Sequence, residues 1–266
     1  MIEINSKTNT IVKDLVKLRD QSKFRDGKSL FYVEGERIIK DIPLHLIDKV
    51  YISKNRTNYF SNLIDKFNEN QVYIINDGIF DKVKDTINSQ GIIATVKYNL
   101  IKSLNNDILN KSKYILVLDN ISDPGNLGTI IRLSEASNIS LIILTNKCCN
   151  IYNTKVIRSC MSSIFRTNIY ISNNILDDIN LLKINQYKIF STILDYKASK
   201  YTDINYKDKS VIILGNEANG IDSDLINEST STIFIPMCGS IESLNVSVAA
   251  TVVCYEIMRQ NNFYET

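Results

Sequence analysis

Three polar stretches, each directly after an apolar run, hold the residue types able to do chemistry in this chain. The first follows Tyr114 to Leu118 and reads Asp119-Asn120-Ile121-Ser122-Asp123-Pro124-Gly125-Asn126-Leu127-Gly128, with Arg132 shortly beyond. Pro fixes one φ and Gly permits a positive one, so Asp123-Pro124-Gly125-Asn126 reads as a tight turn. Leu127, Ile130 and Ile131 then keep the spacing of a core-facing helical stripe. At about 100° per residue, Arg132 falls roughly opposite that stripe. The second stretch follows Val211 to Leu214: Gly215-Asn216-Glu217-Ala218-Asn219-Gly220-Ile221. The third follows Thr232 to Pro236: Met237-Cys238-Gly239-Ser240-Ile241-Glu242-Ser243-Leu244-Asn245, then a helix. Strands that lie parallel bring such loops to one edge, where glycines let the backbone approach a ligand.

Familiar alternatives fail on spacing. Gly215 to Gly220 has the glycine spacing of a P-loop, but Ile221-Asp222 stands where Lys-Ser/Thr is needed. No GxGxxG follows a strand, and no GxSxG occurs. His45 is the one histidine, so a Ser-His-Asp triad is excluded from these loops. Each candidate also has a plainer reading. Asn126 suits the cap of a helix starting at Leu127, and Ser243 and Asn245 suit caps of the last helix. Glu217 could favour a helix start through the dipole. Arg132 by itself reads as a solvated helix residue, and Ile235 and Leu244 as core.

The elements that must position these loops follow from periodicity. Residues 10 to 97 alternate between helical and strand patterns: strands near 30–33, 50–52, 72–75 and 91–96, helices near 11–16, 38–42, 59–67 and 80–87. This is an α/β unit, and residues 1–97 form the first domain. The polar stretch 98–112 reads as a linker, and 113–266 as the second domain. Its strand candidates are 114–118, 140–144, 168–172, 188–194, 210–214 and 232–236. Alternation with helices implies an α/β fold with a mainly parallel sheet covered on both faces. The last helix carries one stripe of Val246, Ala249, Ala250, Val253 and Ile257, and another of Val248, Val252 and Tyr255. An apolar second face needs a cover, and a homodimer is the expected one.

Composition sets limits. The 266 residues carry a formal charge of +2, so no strong global field draws nucleic acid and any RNA contact must be local. Lys13, Lys17, Arg19, Lys23, Arg25 and Lys28 form one candidate patch, interrupted by Asp14, Asp20 and Asp26. Cys148, Cys149, Cys160, Cys238 and Cys254 make no CxxC pair, which argues against a metal site and a disulfide framework. No apolar run reaches the roughly 20 residues of a membrane span, and no signal peptide is seen. No membrane partner and a cytoplasmic location are therefore expected.

Together the three stretches resemble the three signature motifs of the SpoU/TrmH family, in the SPOUT class of RNA 2′-O-ribose methyltransferases. The resemblance rests on Asp119-Asn120, Asp123 to Gly128 and Arg132; on Leu214 to Glu217 with Gly220; and on Ile235-Pro236-Met237, Gly239 and Ser243 to Ser247. It spans residues 114 to 260, in the right order and spacing. Ala218 departs from it, since many relatives carry Gly there. Phe31-Tyr32-Val33-Glu34-Gly35-Glu36-Arg37 is similar to the opening of the RNA substrate-binding domain that precedes the catalytic one in many members. The resemblance implies a C-terminal trefoil knot, homodimers and S-adenosylmethionine as cofactor. It implies methyl transfer to a ribose 2′-hydroxyl of structured RNA, with ribosomal RNA favoured over transfer RNA by the two-domain layout. It also implies cofactor contacts at Gly215, Ile235 and Leu244, and a catalytic set of Asn126, Arg132, Glu217, Ser243 and Asn245. A guanidinium is a poor proton acceptor, so Arg132 is expected to steady a developing oxyanion or hold a phosphate, with proton abstraction by it the open alternative. Three rivals stand beside this reading: a transfer-RNA methyltransferase, a non-catalytic RNA-binding or ribosome-assembly protein of the same fold, and a small-molecule methyltransferase.

Overall fold

Alternating short apolar runs and amphipathic helices build two sheets, one in each of two compact units. A computed structural model describes residues 1–241 and 243–262. Met1–Asn99 and Tyr152–Phe165 form the first unit; Leu100–Ile151 and Arg166–Thr266 form the second.

In the first unit β1 (Ile2–Ile4), β2 (Leu30–Glu34), β3 (Ile47–Ser53), β4 (Val72–Ile75) and β5 (Ile92–Lys97) make a mixed sheet in the order β1-β4-β3-β5-β2. β1 and β3 run parallel to β4, whereas β5 runs antiparallel to both β3 and β2. Tyr32, Tyr51, Tyr73 and Ile93 cluster with Val12, Leu15 and Leu18 of the Thr10–Asp20 helix, all buried. Four expected strands are present; β1 and the Ser22–Lys28 helix were not anticipated. The expected helix near 59–67 shrinks to Ser61–Ile64.

The expected second domain ran unbroken from residue 113, yet Tyr152–Phe165 groups with the first unit. Aromatic packing explains this. Tyr152 stacks on Phe31 and Tyr98 at centroid distances of 4.4 and 4.0 Å. Its hydroxyl donates to Asn99 Oδ1 at 3.0 Å, and the Asn99 side chain donates to the Ile164 carbonyl at 3.0 Å. Arg158 pairs with Asp85.

The second unit contains β6 (Tyr114–Leu118), β7 (Leu141–Leu144), β8 (Ile169–Ile171), β9 (Lys188–Thr192), β10 (Ser199–Lys200), β11 (Ser210–Leu214) and β12 (Ser231–Phe234). Their order is β10-β12-β9-β11-β6-β7-β8, and every pairing is parallel. Six strands match the expected ones; β10 adds a seventh. One face of the sheet, with Ile115, Val117, Ile143, Val211 and Ile213, is closed by Ile179, Leu182 and Leu225 from short helices. Leu116, Ile142 and Ile212, of the opposite parity, are equally buried. The Pro124–Ala136 and Val246–Gln260 helices pack on each other, and the former packs on β7.

From β6 the chain builds outward through β7 and β8, then crosses to lay β9, β11 and β12 on the other side. β6 and β11 therefore adjoin at the point where the order reverses, the place in an open parallel sheet where loops diverge and leave a crevice.

Candidate active site

Leu118 and Leu214 end β6 and β11 in register, so the loops leaving them start side by side. Asp119 fixes that start. Its backbone N–H donates to the Leu214 carbonyl at 2.8 Å. Its buried carboxylate accepts from Thr145 Oγ1 at 3.2 Å and from the Asp222 N–H at 2.9 Å. Beyond it, Asp123 caps the Pro124–Ala136 helix by accepting the Asn126 N–H at 2.9 Å, with Pro124 in the first turn. The helix thus begins three residues before Leu127, and Asn126 does not cap it. Asp123 is as good a capping residue as Asn, and Pro is preorganised for the first helical position. The Asn126 side chain is left for other work.

The second loop is held by Asn216. Its backbone exchanges two 2.9 Å hydrogen bonds with Gly220, and its side chain donates to the Asn120 carbonyl at 2.9 Å. Its Oδ1 accepts from the Ala218 and Asn219 N–H groups at 2.8 and 3.2 Å. Closure requires glycine twice. A Cβ on Gly215 would lie 2.4 Å from the Gly220 carbonyl, and Gly220 has φ +69°.

Glu217, at the tip of this loop, gathers the three stretches. Its Oε1 accepts from Asn126 Nδ2 at 3.0 Å, Asn245 Nδ2 at 2.6 Å and the Val246 N–H at 3.4 Å. Asn245 Nδ2 also donates to Asn126 Oδ1 at 3.0 Å. Asn245 caps the Val246–Gln260 helix as well, its Oδ1 taking the Ser247 N–H at 2.9 Å. Asn245 therefore both caps the last helix and joins the Glu217–Asn126 cluster.

Beside this cluster lies a cavity of about 400 Å³ whose lining includes Gly215, Glu217, Ile235, Ser243 and Leu244. That size is within the roughly 300–1,000 Å³ of small-molecule sites. Thr192 at the end of β9, Ile193 and Leu194 just beyond it, and Met237 and Ala249 add to its mainly apolar wall. The sequence reading assigned none of these five to the site: Thr192 to Leu194 look like any strand end, Met237 stood only within the third motif, and Ala249 only in the apolar stripe of the last helix. It also gave no role to Asp119 and Asn216, whose signal was only their place in the motifs. Arg132 stands apart. It is exposed on the Pro124–Ala136 helix, outside the cavity lining, and its side chain makes no hydrogen bond or ion pair among the described residues. No group of three or more His, Cys, Asp or Glu able to hold a metal occurs among the described residues.

Residues 113–255, which contain all three loops, match the model of the SpoU rRNA Methylase family. The chain belongs to the SpoU rRNA methylase family. Residues 9–94 match a second model, the MRM3-like substrate binding domain. A Bacillus subtilis protein named 23S rRNA (guanosine(2553)-2′-O)-methyltransferase RlmP is 29% identical over 258 residues, covering 97% of this chain and 99% of its own. The 23S rRNA (guanosine-2′-O-)-methyltransferase RlmB of Acinetobacter baylyi is 28% identical over 176 residues, 64% of this chain and 71% of its own. Among solved structures, the AdoMet-bound rRNA methyltransferase of Sinorhizobium meliloti superposes with a TM-score of 0.82 at 26% identity, covering 97% of each chain. This SpoU protein is thus an RNA methyltransferase with a SPOUT fold, and its family takes its methyl group from S-adenosylmethionine. The cavity residues fit that group. Gly215, which has no side chain, lets the Gly220 carbonyl close the loop that borders the cavity, the apolar wall suits a flat base, and the Glu217 carboxylate complements a sulfonium cation. Among the described residues no helix is long and apolar enough to cross a membrane.

Proposed function

We propose that this SpoU enzyme methylates a ribose 2′-hydroxyl of ribosomal RNA, of the 23S type. The observation that carries the reading is the hydrogen-bonded set Asn126–Glu217–Asn245, which joins three distant stretches at a cavity bordered by Gly215, Ser243 and Leu244. When bound, S-adenosylmethionine supplies an electrophilic methyl on a sulfonium. Gly215, Ile235 and Leu244, which border the cavity, would hold it. Glu217 and Asn245 fix the loops around it. Asn126 and Ser243 face the acceptor nucleotide, and positioning of this kind lowers the barrier by ordering the two reactants in advance. The chain's one histidine, His45, lies in the first unit. The cationic, uncommitted Arg132 therefore stabilises charge on the attacking oxygen or grips the adjoining phosphate.

The RlmP and RlmB names support a 23S substrate, and the match over residues 9–94 supports assigning residues 1–97 to RNA selection, joined by 98–112 to a catalytic domain within 113–266 from which Tyr152–Phe165 is lent to the first unit. A homodimer accounts for Val248 and Tyr255, which are 47% and 49% exposed on the last helix. A trefoil knot at the C-terminal end and a cytoplasmic location complete the reading. The test is incubation of the protein with labelled S-adenosylmethionine and separate ribosomal and transfer RNA fractions, followed by mapping of the methylated ribose. Label in 23S RNA at a 2′-oxygen is expected, and Arg132→Ala abolishes it while the protein stays folded and still binds cofactor. Label confined to transfer RNA, or none at all, removes the proposal.

A further inference from the structure

The basic run of the Thr10–Asp20 and Ser22–Lys28 helices is the obvious nucleic-acid surface in the sequence, but its arginines are committed to the fold. Arg19 pairs with Asp20 and donates to the Lys82 and Lys84 carbonyls at 3.0 and 2.7 Å. Arg25 is 3% exposed and donates to the Leu18 and Arg19 carbonyls. Lys17 and Lys28 lie over the half-buried Phe24 ring, at 5.2 and 5.8 Å from its centroid.

A different set of groups is free at the end of the same sheet where β2 and β3 finish and β5 starts. Tyr59 is 65% exposed, its ring set edge-on against the buried Phe60 at 4.8 Å. Its hydroxyl donates to Glu36 Oε2 at 3.1 Å, and the Glu36 N–H donates to Gln90 Oε1 at 2.7 Å. The Arg56 stem runs across Gly91, where a Cβ would come within 2.6 Å of its Cγ. These contacts tie the 54–60 turn, the start of the Glu36–Lys40 helix and the loop before β5 into one surface. The exposed side chains of Arg37 and Arg56 make no hydrogen bond or ion pair among the described residues. The nearby acids are already satisfied: Glu36 by Lys40 and Tyr59, Asp77 by Ser53 and the Asn55 N–H. Two uncommitted guanidinium groups beside a propped, solvent-facing aromatic ring match an RNA strand, with phosphates for the arginines and an unstacked base for the ring.

We propose that this sheet end, with Arg37, Arg56 and Tyr59, is where the first unit grips its RNA. The inference rests on the ribosomal-RNA reading above and locates its substrate contact.

Filter binding of the 266-residue chain to purified total ribosomal RNA across a salt series tests it. Arg37→Ala/Arg56→Ala should weaken binding about tenfold or more and lower the salt slope by about 1.4, at roughly 0.7 per single-strand phosphate. Tyr59→Ala should weaken binding, whereas Tyr59→Phe, which keeps the ring and loses only the Glu36 contact, should bind as the unaltered protein does. Lys17→Ala/Lys23→Ala should change little, and cofactor affinity by calorimetry should be unchanged in every variant. Unaltered affinity and slope in the double-arginine variant, or the main loss in the lysine variant, overturns the proposal while leaving the ribosomal-RNA reading intact. Failure of the unaltered protein to bind ribosomal RNA overturns that reading itself.

Discussion

Asp119 and Glu217 do the same job in two different solvents. Each is a carboxylate that ties loops from separate strands: Asp119 joins the ends of β6 and β7 to Asp222, and Glu217 joins Asn126 to the head of the last helix. Asp119 is 4% exposed, while Glu217 stands in solvent at the mouth of the cavity. A buried acceptor cannot be replaced by water, so its removal strands its donors and costs stability. An exposed acceptor is readily replaced by water, so its loss spares the fold and loosens the geometry it held. The difference separates residues that build the site from residues that set its aim, although both sit in signature motifs.

The largest expected effect is on the buried side. Asp119→Ala should cost about 3 kcal/mol in urea unfolding, from two lost hydrogen bonds to a carboxylate. Glu217→Ala should change stability by less than about 1 kcal/mol yet lower turnover about 100-fold through lost positioning. Glu217→Gln, which keeps an acceptor oxygen, should recover part of that turnover. Equal destabilisation by the two alanine variants would erase the contrast. The smallest effect tests the loop that carries Glu217. Gly215→Ala must push Gly220 aside and should weaken S-adenosylmethionine binding about tenfold by calorimetry, in line with the roughly 1–3 kcal/mol of overpacking. Unaltered cofactor affinity would show that the cradle has slack.

Local signals were legible in the sequence wherever one strand or one loop sufficed. Tyr114–Leu118 and Ser210–Leu214 stand where the apolar runs put them, because a strand buried on both faces reads as an unbroken hydrophobic stretch. Pairings set by partners far along the chain were not legible. β1 and β10, with three and two residues, exist because β4 and β12 offer them an edge. Tyr152 carries no local sign that it stacks on Phe31, and Arg25 looks solvated until the Leu18 carbonyl is seen to accept from it. At the site, Gly215, Ile235 and Leu244 border one cavity. Asp123, competing with Asn126 to cap one helix, could be resolved only in three dimensions.

Because Tyr152–Phe165 belongs with the amino-terminal portion, the backbone changes unit three times, after Asn99, Ile151 and Phe165. No single cut yields both halves intact. A fragment starting at Leu100 would carry an orphaned aromatic strip, and one ending at Asn99 would lose the rings that cover Phe31. Exchange of the amino-terminal half between relatives therefore succeeds only if this inserted strip travels with it.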